Sequence, residues 1–315
     1  MSKIAFIYPG QGAQKAGMGA DFYENSEIAR YIFDQAGEEL DLDMKELCFE
    51  ENDRLDLTEY TQAAMVTTCL AMTRVAESKG LKADITAGLS LGEYPAIAAA
   101  GGMNDMDAIR LVRKRGILMQ NTVPAGEGAM CAVISMAAEE IEKVIEPIAD
   151  VSVANYNCPG QIVITGKTDA VEEAAAKLKE AGARRTIMLN VSGPFHYQML
   201  VPAGEKLAEE LEHTRFHELR IPYVTNVTAE KVTDIRETPG LLTTQISSPV
   251  RWMQSMERMI ADGVDTFVEI GPGKTLEGFL RKIDRSVKVF HISQWEDVDK
   301  VCTELADSGK MMEEA

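Results

Sequence analysis

The pentapeptide Gly88-Leu89-Ser90-Leu91-Gly92 lies between two segments with opposite secondary-structure preferences. Residues 85–89 form a short apolar run that predicts a buried strand, and the alanine-rich residues 91–100 predict a helix. A strand–turn–helix unit of this kind holds a serine hydroxyl at the top of a tight turn beside a helix N-terminus, and the two glycines make the turn sterically possible. We therefore predict that Ser90 is a nucleophile; the alternative is a serine that only caps the helix.

The surrounding sequence alternates strands and helices as a parallel α/β sheet requires. Residues 4–8 and 264–270 are further short apolar strands, and residues 61–79 and 105–123 carry apolar side chains at helical spacing. The chain of 315 residues is long enough for about two domains. These features predict an α/β fold with a mostly parallel sheet, and the turn at Ser90 makes it α/β-hydrolase-like.

Residues 126–193 follow a different pattern. Their predicted elements run strand, helix, strand, strand, helix, strand, which is the ferredoxin-like βαββαβ order. Parallel α/β signals return after this segment. We therefore predict a small ferredoxin-like subdomain over residues 126–193, inserted into a large α/β domain that is formed by residues 1–125 and 194–315 and carries the turn at Ser90.

Composition excludes several classes of function. With 32 basic and 50 acidic residues the formal charge is −18, so we expect no nucleic-acid partner. No apolar run approaches the ~20 residues of a membrane span, and the N-terminus lacks a signal-peptide pattern, so we expect a cytoplasmic protein with no membrane partner. The five cysteines form no C-x-x-C pair, and neither a disulfide framework nor a metal site is predicted.

A serine nucleophile needs a base, and His196 is the best placed of the four histidines. It follows a turn at the end of the predicted insert, where the chain returns to the domain that carries Ser90. An α/β-hydrolase would place an acid between Ser90 and His196, after a strand of the large domain, and none is found there. We therefore predict a Ser–His dyad in which a main-chain carbonyl orients the imidazole.

The other three histidines receive structural interpretations. His213 and His217 are four residues apart in a predicted acidic helix over residues 209–219, which favours a solvated face over a metal site. His291 lies in an apolar run and is predicted to be a strand residue.

Arg115 is three residues from both Val112 and Leu118, which places it near the apolar face of the predicted helix. A guanidinium is costly there unless it is paired. A buried arginine near a nucleophile indicates a substrate that carries a carboxylate.

Seven short motifs are spaced along nearly the whole chain. They are Pro9-Gly10-Gln11-Gly12-Ala13-Gln14, Gly88-Leu89-Ser90-Leu91-Gly92-Glu93-Tyr94, the helix with Arg115, Asn155-x-Asn157-x-Pro159-x-Gln161, Gly193-Pro194-Phe195-His196, Gln245 before Pro249-Val250-Arg251-Trp252, and Glu269-Ile270-Gly271-Pro272-Gly273. Together they resemble the malonyl-CoA:acyl carrier protein transacylases, acyltransferases of type II fatty acid synthesis.

The resemblance implies a role for each site residue. Ser90 would attack the malonyl thioester, His196 would take its proton, and the main-chain carbonyl of Gln245 would orient His196. The main-chain N–H groups of Gln11 and Leu91 would form the oxyanion hole. The substrate would contact Arg115, through its carboxylate, and also Met119, Asn157 and Phe195.

The resemblance also implies substrates and a partner. Malonyl-CoA and the phosphopantetheine thiol of holo acyl carrier protein would be used in turn, with ping-pong kinetics and no bound cofactor, and we expect a monomer. Many malonyl-selective relatives have His-Ala-Phe-His where this chain has Gly193-Pro194-Phe195-His196. Phe195 is kept, and we expect it to narrow the space around the malonyl α-carbon and to disfavour methylmalonyl.

An acidic carrier would need a local basic surface on this acidic chain. The candidates are Arg184 with Arg185, and a C-terminal cluster of Lys274, Arg281, Lys282, Arg285 and Lys288. We expect the C-terminal cluster to receive the carrier.

Two other functions use the same residues. A serine thioesterase or esterase would release the acyl group to water. A non-catalytic carrier-binding subunit would tolerate loss of Ser90 or His196, but both are present.

Overall fold

The computed structural model describes residues 2–307 as two β-sheets with helices around them. The strands are β1 (Lys3–Tyr8), β2 (Ile85–Gly88), β3 (Gly128–Ile134), β4 (Val151–Cys158), β5 (Gln161–Lys167), β6 (Arg185–Met188), β7 (Tyr223–Val224), β8 (Lys231–Val232), β9 (Val264–Ile270) and β10 (Lys288–Ile292). Residues 308–315 of the predicted large domain lie outside the described residues.

The α-helices come before, between and after these strands. They are α1 (Ala20–Asn25), α2 (Glu27–Leu40), α3 (Met44–Phe49), α4 (Thr58–Ser78), α5 (Glu93–Ala99), α6 (Asp105–Thr122), α7 (Ala138–Ile145), α8 (Thr168–Glu180), α9 (Val201–His213), α10 (Thr238–Gln245), α11 (Trp252–Ala261), α12 (Thr275–Ile283) and α13 (Trp295–Asp307). Short 3₁₀ turns occur at Ser90–Gly92, Gln198–Leu200 and Ile235–Glu237. Among the helices of residues 2–307, none has both the length and the apolarity needed to cross a membrane.

The large sheet has the strand order β10-β9-β1-β2-β7-β8, and only β8 runs antiparallel to its neighbour. Five consecutive residues of β1 are buried, as expected for a central parallel strand covered on both faces. The carboxyl ends of β1 and β2 lie side by side, because Tyr8 pairs with Gly88. The predicted mostly parallel α/β sheet is thus confirmed.

The small sheet is antiparallel, with the order β4-β5-β3-β6. Its elements follow in the predicted order β3, α7, β4, β5, α8, β6. The strand predicted over residues 151–154 is longer in the structure, because β4 continues to Cys158. The extra length matters because Val250 pairs with the end of β4: the Val250 N–H donates to Ala154 O at 2.8 Å, and the Tyr156 N–H donates to Val250 O at 2.9 Å. These bonds join the small sheet to the rest of the chain.

Helix α4 is the central helix of the core. Sixteen of its 21 residues are buried, from Thr58 to Ala76, and it packs against α6 and α2. A helix that is apolar around most of its circumference has to be enclosed in this way. Its N-terminal end lies beside the loop that follows β1, since Gln11 Nε2 donates to Thr58 Oγ1 at 3.1 Å.

The prediction of a helix over residues 209–219 is wrong in its bounds. Helix α9 ends at His213, and the chain then runs extended so that Phe216 forms a bridge with Met103. The His217 N–H donates to Gly102 O at 2.9 Å, so His217 belongs to this bridge rather than to a helix face. Pairing with a distant segment overrides the helical preference of the acidic stretch.

Candidate active site

Ser90 is at the turn that follows β2, in a backbone conformation that L-residues seldom adopt, with φ of 54°. The flanking glycines allow this turn. A Cβ on Gly88 would lie 1.8 Å from Gly92 O, and a Cβ on Gly92 would lie 2.4 Å from Tyr8 O. The strand therefore reverses sharply into the 3₁₀ turn and α5, as the pentapeptide predicts.

A side-chain amide from another strand holds the turn. Asn226, two residues after β7, accepts the Ser90 N–H at its Oδ1 at 2.6 Å and donates from its Nδ2 to Gly88 O at 2.7 Å. Asn226 is fully buried. Both bonds act on main-chain atoms of the turn, so they stabilise the unusual conformation of Ser90.

His196 reaches Ser90 from 106 residues further along the chain. Its Nε2 is 2.8 Å from Ser90 Oγ. It follows Gly193-Pro194-Phe195, has φ of 61°, and donates its main-chain N–H to Ile246 O at 3.1 Å. The structure therefore brings together the serine and the histidine that the sequence singles out.

Main-chain carbonyls orient the His196 ring. Its Nδ1 is 2.9 Å from Gln245 O and 3.1 Å from Ser248 O. A carbonyl can only accept, so Nδ1 carries the proton and Nε2 presents a lone pair to the Ser90 hydroxyl. The expected dyad without an acid on the imidazole matches this geometry.

His196 is held in its neutral form. Burial, with a further contribution from the positive charge of Arg115, lowers the pKa of His196 from 6.5 to about 4. Both effects disfavour the imidazolium. At neutral pH the ring is therefore ready to accept a proton from Ser90.

Arg115 on α6 is completely buried beside the dyad. Its Nη2 donates to Ser90 Oγ and to Gln245 Oε1, both at 3.0 Å, and its Nη1 donates to Gln62 Oε1 at 2.8 Å. Among residues 2–307, the hydrogen-bond acceptors found for Arg115 are all neutral oxygens. Burial lowers the pKa of Arg115, but a guanidinium remains charged in proteins. The site thus holds a buried cation whose hydrogen bonds leave its charge unneutralised.

One cavity of about 240 Å³ adjoins the dyad. Its lining includes eight of the nine residues predicted for the site: Gln11, Ser90, Leu91, Arg115, Met119, Asn157, Phe195 and His196. The ninth, Gln245, is fully buried behind His196. Met119 and Phe195 are almost fully buried and form part of the apolar wall.

Three polar residues of the site were missed by the sequence analysis. All three are buried. Gln62 is hydrogen-bonded to Arg115, Asn226 to the Ser90 turn, and Glu93 to both Asn226 and Gln245. Glu93 leaves a trace in the sequence, because it is a lone acid in the apolar run of residues 91–100. Gln62 and Asn226 leave none, because their partners are remote in the chain.

The remaining histidines lie outside the site. His213 is exposed as predicted, whereas the prediction of a solvated face is wrong for His217, which is half-buried. His291 lies in β10, as predicted, with its Nδ1 3.2 Å from Glu277 Oε2. Within residues 2–307, no three His, Cys, Asp or Glu side chains are grouped as a metal site would require.

The predicted C-terminal basic cluster is exposed beside the cavity. The cluster is exposed throughout: Lys274, Arg281, Lys282 and Arg285 lie on α12 or within two residues of its ends, and Lys288 is the first residue of β10. Thr275, Leu276 and Phe279 of the same helix line the cavity. Arg184 and Arg185 are also exposed, at the start of β6 in the small sheet.

We expect the reactivity of Ser90 to persist in mild acid. Because His196 stays neutral until the pH nears its lowered pKa of about 4, the rate of Ser90 modification by a small fluorophosphonate should change little between about pH 7 and pH 5 and fall below that. Intact mass spectrometry of timed samples measures this rate. His196→Ala should react slowly at every pH, and a rate that falls by half near pH 6.5 would contradict the expectation.

Comparisons with known proteins agree with this site. A family model described as "Acyl transferase domain" matches residues 5–298. Malonyl CoA-acyl carrier protein transacylase of Bacillus subtilis (strain 168) is 44% identical over 304 residues, which cover 95% of this chain and 96% of that protein.

Solved structures show the same relationship. A malonyl CoA-acyl carrier protein transacylase from Clostridium perfringens superposes with a TM-score of 0.94 at 42% identity, covering 98% of each chain. A malonyl-transacylase solved in complex with its type II PKS acyl-carrier protein superposes with a TM-score of 0.93 at 35% identity, covering 96% of this chain and all of that one. The chain therefore belongs to the acyl transferase family and, within it, to the malonyl CoA-acyl carrier protein transacylases.

Proposed function

We propose that this protein transfers a malonyl group from malonyl-CoA to the phosphopantetheine thiol of holo acyl carrier protein and so supplies fatty acid biosynthesis. The observation that carries the proposal is the 3.0 Å hydrogen bond from the buried Arg115 to Ser90 Oγ. It places a cation whose hydrogen-bond acceptors are neutral next to the nucleophile, where an acyl group that carries its own negative charge gains from it. The family and the solved carrier complex of a relative support the same reaction.

In the first half-reaction, Ser90 Oγ attacks the thioester carbonyl while its proton passes to His196 Nε2, 2.8 Å away. A C–O bond forms, the C–S bond breaks, and His196 returns the proton to the departing CoA thiolate. In the second half-reaction the carrier thiol gives its proton to His196 and attacks the malonyl-serine. A C–S bond forms, the C–O bond to Ser90 breaks, and His196 returns the proton to Ser90 Oγ. The two halves share one site, and the kinetics are therefore ping-pong.

The main-chain N–H groups of Gln11 and Leu91 are proposed as the oxyanion hole. Both residues line the cavity, and Leu91 directly follows Ser90 at the N-terminal end of the 3₁₀ turn. Donors at such a position stabilise the negative charge that develops on the carbonyl oxygen, and one of them is typically worth about 3 kcal/mol.

The remaining contacts are proposed to determine which acyl group binds. Arg115 is proposed to bind the malonyl carboxylate, and Met119 and Phe195 to limit the space around the α-carbon, so that methylmalonyl is disfavoured. Their near-complete burial on the cavity wall supports this assignment. Asn157 is proposed to contact the substrate through its side-chain oxygen, which is buried without a hydrogen-bond partner within residues 2–307.

The finer description of the fold is also a proposal. We interpret residues 126–193 as a ferredoxin-like subdomain, on the βαββαβ order and the sheet order β4-β5-β3-β6. Residues 1–125 and 194–315 would then form an α/β-hydrolase-like domain, on the strength of the glycine-flanked turn after β2. We also propose that the protein acts as a monomer, and that it binds no cofactor because both half-reactions use only Ser90, His196 and the thioester and thiol substrates.

The exposed C-terminal basic cluster is proposed as the surface that receives the carrier. It is adjacent to the part of α12 that lines the cavity, so a carrier bound there would have a short path for its phosphopantetheine arm. Local positive charge is needed because the whole chain carries −18.

The reaction is tested by following one acyl group. Incubation with malonyl-CoA should give a single malonyl adduct by intact mass, and addition of holo acyl carrier protein should move that adduct to the carrier. Ser90→Ala should give no adduct. Decay to free malonate at the same rate with and without carrier would identify a hydrolase instead.

Arg115→Gln should reduce the preference for malonyl-CoA over acetyl-CoA more than it reduces the rate of acyl transfer itself. Loss of the buried charge-assisted contact should lower kcat/KM for malonyl-CoA by about 100-fold or more relative to kcat/KM for acetyl-CoA, because acetyl has no carboxylate to lose. The control is Arg113→Gln on the same helix, whose ion pair with Glu59 at 2.9 Å lies outside the cavity lining. An unchanged malonyl-to-acetyl ratio in Arg115→Gln would contradict the role of Arg115.

Charge reversal tests the carrier surface in the second half-reaction alone. The assay starts from preformed malonyl-enzyme. The double variant Lys282→Glu/Arg285→Glu should raise the KM for holo carrier about tenfold at low salt and less at high salt, because salt screens the attraction between the two proteins. The matched control is Arg184→Glu with Arg185→Glu on the small sheet. An unchanged KM in the first pair, or a larger rise in the second, would show that the carrier binds elsewhere.

A further inference from the structure

Glu93 is a fully buried acid at the first position of α5, three residues after Ser90. One of its oxygens, Oε2, accepts two hydrogen bonds: from the main-chain N–H of Asn226 at 3.0 Å and from the Gln245 side-chain Nε2 at 2.7 Å. These donors come from two segments remote from Glu93 in the sequence. A single oxygen atom thus joins the turn after β2, the residues after β7 and the end of α10.

Both donors also hold the reacting pair. Asn226 accepts the Ser90 N–H at 2.6 Å through its side chain. The main-chain carbonyl of Gln245 accepts the His196 Nδ1–H at 2.9 Å, and its side-chain Nε2 also donates to Ser90 O at 3.0 Å. Glu93 therefore contacts the residue that fixes the serine and the residue that fixes the histidine, without contacting either reacting side chain itself.

The cost of burying Glu93 argues against a purely packing role. Its other oxygen, Oε1, is buried and makes no hydrogen bond of normal geometry within residues 2–307, although the Thr225 hydroxyl lies close enough to the carboxyl to lower its pKa. Burial also raises the pKa of Glu93 to about 7. A desolvated carboxyl destabilises a fold unless its oxygens are hydrogen-bonded, and the other six residues of α5 are all buried and largely apolar. The buried carboxyl is explained if the site requires a hydrogen-bond acceptor at the position of Oε2.

We propose that Glu93 is a positioning residue, whose Oε2 sets the placement of Ser90 relative to His196 by anchoring Asn226 and Gln245 together. The inference rests on the proposed function in so far as Ser90 and His196 are the reacting pair. Loss of the anchor frees both holders, and a shift of about 1 Å between nucleophile and base can cost about 100-fold in rate. The effect should appear in kcat rather than in substrate binding.

Two variants of similar size separate the hydrogen-bond acceptor from the charge. Glu93→Gln keeps one oxygen that can accept both bonds, and should retain kcat to within about threefold. Glu93→Met removes both acceptors at similar length, and should lower kcat by about 30-fold or more while KM for malonyl-CoA stays within about threefold. Equal kcat losses in the two variants, or a kcat within about twofold of the original in Glu93→Met, would overturn the proposal.

The control for a general loss of stability is Tyr223→Phe. Tyr223 is fully buried on β7, near Glu93, and its Oη is 2.9 Å from Thr238 Oγ1. This variant loses one buried hydrogen bond without touching Asn226 or Gln245. Tyr223→Phe should keep its kcat. Thermal unfolding is recorded for every variant, so that losses of stability can be compared with losses of kcat. A kcat loss in Tyr223→Phe as large as that of Glu93→Met would show that destabilisation alone explains the effect.

A second variant and a second readout keep the test decisive. If Glu93→Met does not fold, Glu93→Asp withdraws the carboxyl from both donors and should lower kcat about tenfold or more; an unchanged kcat would overturn the proposal. The rate of Ser90 modification by a fluorophosphonate should fall in parallel with kcat in every variant. This rate does not depend on malonyl transfer, so a protein that accepts no malonyl would refute the proposed function while Glu93 is still tested.

Discussion

The hydrogen bond between His196 Nδ1 and the main-chain carbonyl of Gln245 is the constraint on which the site depends. A carbonyl cannot donate and does not titrate, so it fixes one tautomer of the ring over a wide range of pH. A carboxylate in its place would stabilise the imidazolium and raise the pKa of His196. Burial and the positive charge of Arg115 instead lower the pKa of His196 to about 4, against the opposite effect of the carbonyl bonds, and the ring acts as a base at neutral pH.

Most of the fold could be predicted from the sequence because its elements have strong local signals. The strand Val264–Ile270 has the predicted bounds, and the order β3, α7, β4, β5, α8, β6 follows from hydrophobic patterns and turn residues alone. The helix predicted over residues 209–219 failed because its composition suits a helix while Phe216 pairs with Met103, 113 positions earlier. Local preference cannot report a contact of that range.

The site was predictable to the extent that each residue had a local reason for its type. Ser90 lies between two glycines that the turn requires, and Arg115 is a cation on an apolar helix face. Gln245 acts on His196 through a main-chain atom, which any residue has, and it was identified only through the family resemblance. Asn226 bonds to a residue 136 positions away, and nothing near it in the sequence distinguishes it from a surface asparagine.

The absence of an acid on His196 is consistent with the charge that Arg115 must keep. The positive charge of Arg115 acts on the His196 ring, since it helps to lower the pKa of that ring, so an ionised acid placed on the imidazole would also attract the guanidinium. The cation would then have little left to gain from a substrate carboxylate. Glu93, three residues after Ser90, also attracts Arg115, but burial raises the pKa of Glu93 to about 7, which reduces its negative charge at neutral pH. Neutral acceptors around the dyad thus leave the positive charge of Arg115 for the substrate.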